Sequence, residues 1–389
     1  MVHFQSVDVK VFLTEYWQKK PLVIRQALPD FINPLSADEL AGLALEEDVE
    51  SRMVFEMPSH SPSWRLKRGP FTEADFATLP KTHWTLLVQG VDLLIPEVAS
   101  LLNHFDFIPQ WRLDDVMISY AVKHGSVGPH YDNYDVFLYQ AKGQRKWSLT
   151  TQQCHEANYL KKVDLRIMET FEVEEEFILL PGDMLYLPPH VGHHGVSLDD
   201  ECMTYSFGYR SYQAQELWES FADYLAEKNK PTDLYQDPNW ATLEATSCIP
   251  PQAWRNAKDL MQDLLTDETR LQTWFGCFAT RLDQSAEQRM PEPLDEDGAE
   301  NLQQPTFLQE LLDGAGLLRD ATCRMAYLPT GELFINGTEW PTDGVSSLLI
   351  KQVADHRLSN ISTLKPFLTE EANQCFLYDL WKLQWLEIA

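Results

Sequence analysis

The sequence lacks the features that mark membrane spans, secretory leaders and disulfide-stabilised folds. No stretch reaches the roughly 18 uninterrupted apolar residues of a membrane span, and the first residues, MVHFQSVDVKVFLTEYW, have no cationic start followed by an apolar run. The six cysteines form no C-x-x-C pair, which argues against a zinc knuckle and against a disulfide framework. We therefore expect a cytoplasmic protein whose thiols are reduced and mostly buried.

Basic residues are scarce as well. The 389 residues include 31 Lys and Arg against 59 Asp and Glu, which gives a formal net charge of −28. A charge of this sign repels phosphate backbones and attracts basic polypeptides, although it also serves solubility without any partner. We expect no direct nucleic-acid binding, and a charged partner should be basic.

Short β-rich runs fill the middle of the chain. From Asp115 to about Arg210 the runs VMISYAV, DVFLYQA, KWSLT, FILL, MLYLPP and MTYSFGY follow one another. Residues 142–144 and 181–183 each separate two of these runs, and their composition predicts hairpin turns. Many short strands at regular spacing are typical of a barrel.

The regions on either side of these strands have helical patterns. A capping box at residues 36–39 predicts the start of a helix, and residues 212–282 carry apolar residues three and four apart. Residues 283–305 are acidic and proline-bearing, which indicates a linker. Residues 306–389 predict a helix, two short strands about a turn at Asn336-Gly337, and further helices.

One motif carries the chemistry. His130 and Asp132 are two positions apart, so on an extended strand both side chains leave the same face and can meet one ion. A third ligand is available after an apolar strand, where His190, His193 and His194 cluster, and spacing alone does not choose among them. Two imidazoles and one carboxylate leave coordination positions open, which suits non-haem iron(II) better than a closed structural zinc site.

The segments GPHYDNYDVFLYQAKGQRKW and LLPGDMLYLPPHVGHHGVS resemble the two metal motifs of JmjC-type oxygenases of the cupin superfamily. The segments EYWQKKPLVIRQAL and QWRLDDVMIS are similar to other parts of the bacterial ribosomal oxygenases, which hydroxylate an arginine of the sixteenth large-subunit ribosomal protein. The resemblance implies an α+β chain with a double-stranded β-helix (the cupin or JmjC barrel) in residues 1–211. It further implies an all-helical dimerisation block at 212–282, the linker at 283–305, a winged-helix-like domain at 306–389, and a homodimer.

The resemblance also implies the ligands of the site. It assigns His130, Asp132 and His193 to iron(II), and it leaves His190 and His194 beside the site or at the surface. It implies 2-oxoglutarate as the cosubstrate, which chelates the metal at one end and needs a fixed cation for its far carboxylate.

The segment Gln144-Arg145-Lys146 supplies that cation. Strand alternation places Arg145 and Lys146 on opposite faces without saying which face is interior, and the resemblance favours Arg145, whose planar fork suits a carboxylate. Ser119 and Thr204, on neighbouring predicted strands, are candidate hydroxyl donors to the same carboxylate.

Residues around the metal motif are candidates for substrate binding. Tyr131 and Tyr134 flank the motif, and Asp114, Asp115 and Asp135 are candidates to pair with a guanidinium at the mouth of the barrel. The resemblance implies an arginine in a basic ribosomal protein, but related eukaryotic enzymes act on histidine. A non-catalytic cupin binding module, a metal-dependent isomerase and a zinc hydrolase are the other classes that such a barrel allows.

Overall fold

In the computed structural model the chain divides at Ser211 into two units, Met1–Ser211 and Tyr212–Ala389, and each unit mixes helices with strands. The fold is therefore α+β. The structure describes residues 1–5, 7–57, 59–60, 63–227, 233–239, 247–294 and 303–389. Among these residues, no helix combines the length and the apolar character that a bilayer crossing requires.

The first unit is built mainly from strands. Its strands are β1 Leu22–Ile24, β2 Ser51–Glu56, β3 Trp64–Arg68, β4 Trp84–Val88, β5 Leu113–Ala121, β6 His130–Tyr131, β7 Asp135–Lys142, β8 Arg145–Thr150, β9 Glu175–Leu179, β10 Met184–Leu187, β11 Gly192–Ser197 and β12 Cys202–Tyr209. Its α-helices are α1 Val9–Val11, α2 Ala37–Leu43, α3 Glu73–Ala77 and α4 Pro96–Ser100. Short π and 3₁₀ turns are Phe12–Tyr16, Val91–Leu93, Leu101–Phe105, Gln110–Arg112 and Glu156–Asn158.

These strands form two sheets. The larger has eight strands in the order β1-β10-β7-β12-β5-β4-β2-β3, and the smaller has four in the order β6-β11-β8-β9. Strand alternation divides the apolar residues of β7 between two cores. Val136 and Leu138 join a core that also takes Trp147 and Leu149 from the smaller sheet. Phe137 and Tyr139 point to the opposite face, into a core shared with the N-terminal helices.

The turns at 142–144 and 181–183 do not make hairpins, so that prediction was wrong. Strand β7 pairs with β10 and β12, whereas β8 pairs with β9 and β11, so residues 142–144 carry the chain from the larger sheet to the smaller one. Residues 181–183 return it from β9 to β10 in the same way. Turn chemistry shows that the chain reverses, but it does not show which strand the next segment will pair with.

The helix predicted at residue 36 is confirmed. The side chain of Ser36 accepts from the backbone N–H of Glu39, and the carboxylate of Glu39 accepts from the backbone N–H of Ser36. Both bonds of the capping box therefore satisfy N–H groups at the start of α2 that have no partner within the helix.

The second unit contains most of the helices. Its α-helices are α5 Ala214–Glu227, α6 Pro251–Asp263, α7 Glu268–Thr280, α8 Gln284–Gln288, α9 Gln304–Asp313, α10 Ser347–Asp355, α11 Ile361–Leu364 and α12 Glu371–Lys382. Its strands are β13 Gly316–Arg319, β14 Met325–Tyr327, β15 Leu333–Ile335, β16 Thr338–Trp340, β17 Leu358–Asn360 and β18 Leu386–Ile388, in two three-stranded sheets.

The turn at Asn336-Gly337 is confirmed as a hairpin between β15 and β16. Both residues have positive φ, 48° and 83°, as a two-residue type I′ turn requires. The prediction of two strands for residues 306–389 was four short, because β13, β17 and β18 form a second sheet and β14 pairs with the other side of β15. Part of the segment predicted as a linker forms α8, and residues 295–302 of it lie outside the described residues.

None of the six cysteines, all of which the structure describes, is in a disulfide, as expected. Cys202 and Cys323 are buried, Cys248 is exposed, and the other three are intermediate. The prediction that most are buried was therefore wrong.

Candidate metal and cosubstrate site

Two histidines face each other on neighbouring strands of the smaller sheet. His130 begins β6, and its register partner on β11 is His193. Their ring centroids are 4.2 Å apart. Residues directly opposite in an antiparallel pair point to the same face, so strand pairing brings together two imidazoles that are far apart in the chain.

Each imidazole is oriented by a bond to a backbone carbonyl. The Nδ1 atom of His130 is 2.9 Å from the carbonyl oxygen of Gly128, and Nδ1 of His193 is 3.0 Å from that of Val191. A carbonyl only accepts, so both Nδ1 atoms carry the proton and both Nε2 lone pairs are left for a metal. The Nε2 atom of His193 is 3.5 Å from Oδ2 of Asp132.

The three side chains form a donor set for one ion. Ligand atoms of His130, Asp132 and His193 all lie within 4.8 Å of one another, and within the described residues this is the one group of three or more such side chains. The pKa of His193 is lowered to about 4, mainly by burial and in addition by the neighbouring His130. At neutral pH the imidazole of His193 is therefore uncharged, which is the form that binds metals.

The neighbouring histidines are placed differently. His194 points to the opposite face of β11 from His193, where its ring lies 6.1 Å from that of Phe171. His190 is exposed, and its backbone N–H, rather than its ring, donates to the carbonyl of Asp132. The structure brings neither ring into the group of three.

The guanidinium of Arg145 is buried without a full set of partners. Arg145 is 4% exposed and shares a face of β8 with Trp147 and Leu149, which belong to the core between the two sheets. Its Nε and Nη2 atoms have no hydrogen-bond partner among the described residues. Lys146 points the other way, and its Nζ atom is 3.0 Å from Oε1 of Glu176 at the surface. Strand pairing thus decides which of the two basic residues faces the interior.

These residues fit the metal and the cosubstrate that the resemblance implies. A buried charge without a partner is costly, and native structures contain few unsatisfied buried donors. A carboxylate beside Arg145 would accept from both free N–H groups in the bidentate manner that arginine favours. The two imidazoles, the Asp132 carboxylate and this arginine therefore suit a divalent metal together with an anionic ligand.

Ser119 and Thr204 are directly opposite each other on β5 and β12, and both are buried. The hydroxyl of Thr204 donates to Oε1 of Gln140 at 3.3 Å. Gln140 is fully buried on β7 and in turn donates to the carbonyl of Lys142 at 2.7 Å. The hydroxyl proton of Thr204 is thus engaged within the protein.

Asp115 shares a face of β5 with Ser119 and has an unusual charge state. Its Oδ2 atom accepts from Nε2 of Gln89 at 2.7 Å and from the backbone N–H of Gly90 at 2.9 Å. Burial raises the pKa of Asp115 to about 7, and the charges of Asp92 and Asp114 contribute to this rise. This carboxyl group therefore changes its charge near neutral pH rather than in the acidic range that is usual for aspartate.

Tyr134 is close enough to this carboxyl group and to the metal ligand Asp132 for both charges to act on its phenol. The negative charge of Asp132 is the main reason why the pKa of the Tyr134 phenol is raised, followed by desolvation and by the charge of Asp115. The residue is 41% exposed. Tyr134 and Asp115, which we call the polar edge, are thus coupled by charge to each other and to the metal group, and Tyr134 is partly open to solvent.

Tyr131 and Asp114 have partners elsewhere, although the charge of Asp114 also acts on Asp115 and Tyr134. Tyr131 points away from its neighbour His130, and its ring stacks on that of Tyr159 with centroids 5.6 Å apart. Asp114 is exposed and holds Nε of Arg210 at 3.1 Å.

Asp135 lies on the other face of the larger sheet, which corrects its expected place at the mouth. It is fully buried, it accepts from the Tyr186 hydroxyl at 2.6 Å, and its Oδ2 atom is 3.5 Å from Nη2 of Arg112. Its guanidinium partner therefore belongs to this chain. Alternation along β7 puts Asp135 on the same face as Phe137, away from the metal group.

The sequence reading missed two interior residues. Gln140 orients Thr204, and Trp147 lies between the metal group and Arg145, with its ring centroid 5.8 Å from that of His193. Trp147 follows Arg145 by two positions, so strand alternation was the signal that places both on one face. Gln140 gave no comparable signal, because its contacts come from the neighbouring strand.

Comparison with known proteins agrees with this arrangement. The family model for the JmjC domain matches residues 100–217, and the model for the ROXA-like winged helix matches residues 260–387. The Ribosomal protein uL16 3-hydroxylase of Escherichia coli (strain K12) is 37% identical over 283 residues, which cover 72% of this chain and 74% of that protein. A Probable ribosomal oxygenase of Haemophilus influenzae is 32% identical over 358 residues, 90% of this chain and 87% of that protein.

Solved structures show the same fold over the full length. An X-ray structure of Escherichia coli YcfD has a TM-score of 0.86 and 29% identity, and it covers 100% of both chains. The ribosomal oxygenase YcfD in complex with cobalt and 2-oxoglutarate has a TM-score of 0.80 and 30% identity, and it covers 98% of both chains. With its JmjC domain and its C-terminal winged-helix domain, this chain belongs to the family of JmjC ribosomal oxygenases.

Proposed function

We propose that this chain is an iron(II)- and 2-oxoglutarate-dependent hydroxylase that acts on an arginine side chain of ribosomal protein uL16. His130, Asp132 and His193 would hold the metal, and Arg145 would bind the far carboxylate of 2-oxoglutarate. When bound, the metal and 2-oxoglutarate supply an oxygen-dependent decarboxylation to succinate that is coupled to hydroxylation of a C–H bond.

One observation carries the proposal. Three metal-binding side chains converge in the interior of the unit that also buries the unsatisfied guanidinium of Arg145. A structural zinc site is closed by four protein ligands, whereas the group found within the described residues has three members. The remaining coordination positions suit a chelating cosubstrate and dioxygen, and the Escherichia coli relative has been seen with 2-oxoglutarate and cobalt.

The residues around the site orient the reactants and exclude water. The core shared by the two sheets places Leu149 opposite His193 and Trp147 opposite Gly195, so apolar side chains line the interior next to the metal group. Arg145 would fix the cosubstrate in one orientation through two N–H groups. Ser119 and Thr204 remain candidate donors to the same carboxylate. Thr204 could donate to it only after the hydrogen bond from its hydroxyl to Gln140 is broken.

The polar edge formed by Asp115 and Tyr134 supports an arginine as the target. A guanidinium placed against Asp115 would hold that carboxyl group in its charged form and would replace the protons that burial favours. The same edge offers a phenol to a planar cation. The relative in Escherichia coli is named for uL16, and the charge of −28 favours a basic protein substrate.

The test is turnover on recombinant uL16 with iron(II), 2-oxoglutarate and ascorbate. We expect one molecule of succinate for each oxygen atom that is added to uL16, and fragment mass spectra should place that atom on an arginine. Oxygen on a histidine would retain the enzyme class but change the target. Binding of metal and 2-oxoglutarate without succinate would identify a non-catalytic cupin instead.

We also propose that the chain forms a homodimer through the helical block at 212–282. Helix α6 has no buried residue, and it exposes Trp254 (55%), Met261 (48%) and, just beyond its end, Leu265 (40%). A helix with an exposed apolar face of this kind fits a second copy of the same surface. The same proposal includes a division into domains at 1–211, 212–282, 283–305 and 306–389. It also includes action in the cytoplasm, where ribosomal proteins are made.

A further inference from the structure

The indole N–H of Trp147, like the guanidinium of Arg145, is a buried donor without a partner in the interior of the first unit. Trp147 is 4% exposed, and its Nε1 atom has no hydrogen-bond partner in the part of the chain that the structure describes. Indole is a donor only, so an acceptor is the group that is missing. Buried tryptophans usually satisfy this donor, as Trp84 does here by donating to the carbonyl of Pro80 at 2.7 Å.

The position of Trp147 links this donor to the candidate site. Its register partner on β11 is Gly195, which lies between the partners of Leu149 and Arg145. The guanidinium carbon of Arg145 is 5.4 Å from the centroid of the indole ring. Trp147 thus lies between His193 and Arg145 on one interior face, where the cosubstrate would extend from the metal to its clamp.

The orientation of the ring is fixed by Gly195. A Cβ atom added there would lie 2.7 Å from the indole atoms Cη2 and Cζ3 and 2.9 Å from Cε3. The benzene edge of the indole therefore covers the glycine, and Nε1 is on the opposite edge of the ring. The absence of a side chain at residue 195 thus lets the benzene edge of the ring lie against β11, with Nε1 on the edge away from this glycine.

We infer that the indole N–H of Trp147 donates a hydrogen bond to the far carboxylate of 2-oxoglutarate, beside the two bonds from Arg145. The inference rests on the proposed function. A carboxylate has about four acceptor positions, so it can accept from the arginine fork and from one further donor. One ligand group would then give a partner to each unpartnered donor atom of Arg145 and Trp147, which is simpler than two unrelated acceptors.

The variant Trp147→Phe tests this, because it keeps an aromatic ring over Gly195 and removes only the donor and part of the ring. Isothermal titration of the zinc-loaded full-length chain would measure binding of 2-oxoglutarate and of 2-oxobutanoate, which has the same chelating end and no far carboxylate. We expect the variant to bind 2-oxoglutarate about ten- to a hundredfold more weakly, the range for a hydrogen bond to a charged group. Binding of 2-oxobutanoate should change little.

Trp385→Phe is the matched control. Trp385 also has a buried indole N–H without a partner among the described residues, and it belongs to the second unit. Its replacement should leave both affinities unchanged. Thermal unfolding of the two variants without ligand shows whether each one is folded.

Nuclear magnetic resonance of the indole groups gives a direct second measurement. With ¹⁵N-labelled tryptophan, the indole resonance that is missing in Trp147→Phe identifies Trp147, and it should move downfield on addition of 2-oxoglutarate but not of 2-oxobutanoate. The inference is overturned, and the proposed function stands, if three results occur together: the wild-type chain binds 2-oxoglutarate, the variant binds it equally well, and the resonance stays in place. If the wild-type chain binds no 2-oxoglutarate, both are overturned.

Discussion

Ile167 packs directly on Gly128, the residue whose carbonyl orients the imidazole of His130. A Cβ atom added at Gly128 would lie 2.9 Å from Cδ1 and Cγ1 of Ile167, and the φ of this glycine is +83°. The following residues are tied down as well, since the backbone N–H of Met168 donates to the carbonyl of Pro129 at 2.7 Å. The loop that contains Ile167 therefore fixes the backbone from which the first metal ligand projects.

Gly128→Ala should weaken both the fold and the metal site. The positive φ and the contact with Ile167 together should lower the free energy of unfolding by about 2 to 4 kcal/mol, and His130 should lose its alignment. Denaturant unfolding and metal titration measure the two effects. Gly42→Ala is the control, because Gly42 lies within α2 with no atom within 4 Å of an added Cβ. It should stabilise the protein by about 0.5 to 1 kcal/mol.

His193→Ala should abolish metal-dependent turnover. The variant loses one of three ligands, so iron affinity should fall by more than the roughly 10- to 100-fold that loss of a supporting residue costs, and succinate formation should disappear. Metal content after gel filtration and succinate yield are the measurements. His190→Ala should keep both, because its ring lies outside the group of three. Equal losses in the two variants would contradict the ligand assignment.

Arg145→Met should separate stability from ligand binding. The variant removes a buried charge without a full set of partners, so the ligand-free protein should be at least as stable as the wild type. Addition of 2-oxoglutarate with zinc(II) should raise the melting temperature of the wild type and leave that of the variant close to its value with zinc(II) alone. A variant that is stabilised as strongly by 2-oxoglutarate as the wild type would show that Arg145 does not bind it.

Asp115→Asn should stabilise the protein increasingly as pH rises. The pKa of Asp115 is raised from its ordinary value of 3.8 to about 7, so its ionisation in the folded protein opposes folding. This cost is absent below about pH 4, grows between pH 4 and pH 7, and is fully present above pH 7. The difference in melting temperature between variant and wild type should therefore be larger at pH 8 than at pH 5.

The same substitution should reduce activity on the protein substrate. If Asp115 holds a guanidinium, kcat/KM of the wild type for uL16 should rise as pH increases through about 7, because the carboxylate must be charged to bind the cation. In Asp115→Asn this rise should be absent. The value of kcat/KM should fall by about 10-fold or more, as expected for the loss of a hydrogen bond to a charged group. An unchanged pH profile would remove Asp115 from the substrate site.

Charged residues on α6 should convert a dimer to a monomer. The double variant Trp254→Asp with Met261→Asp places two carboxylates on the exposed apolar face, where a second copy would bury them. Light scattering after gel filtration measures the mass. Leu348→Asp is the control, since Leu348 is 64% exposed on α10. A monomeric wild-type chain would contradict the dimer proposal.

The sequence by itself determined the local features. The capping box at Ser36, the hairpin at Asn336-Gly337 and the spacing of His130 and Asp132 each depend on residues within a few positions, so alternation and turn chemistry were sufficient. The resemblance to JmjC oxygenases added His193, because its motif has a fixed order after the apolar strand.

Only the tertiary structure decided which face each side chain occupies. Arg145 and Lys146 differ by one position, and the pairing of β8 with β11 turns Arg145 to the interior and Lys146 to Glu176. The same kind of choice placed Asp135 away from the metal group and turned the expected hairpins into links between sheets. Alternation fixes faces relative to each other along one strand, but the direction of the interior is set by the pairing partners, which lie far away in the chain.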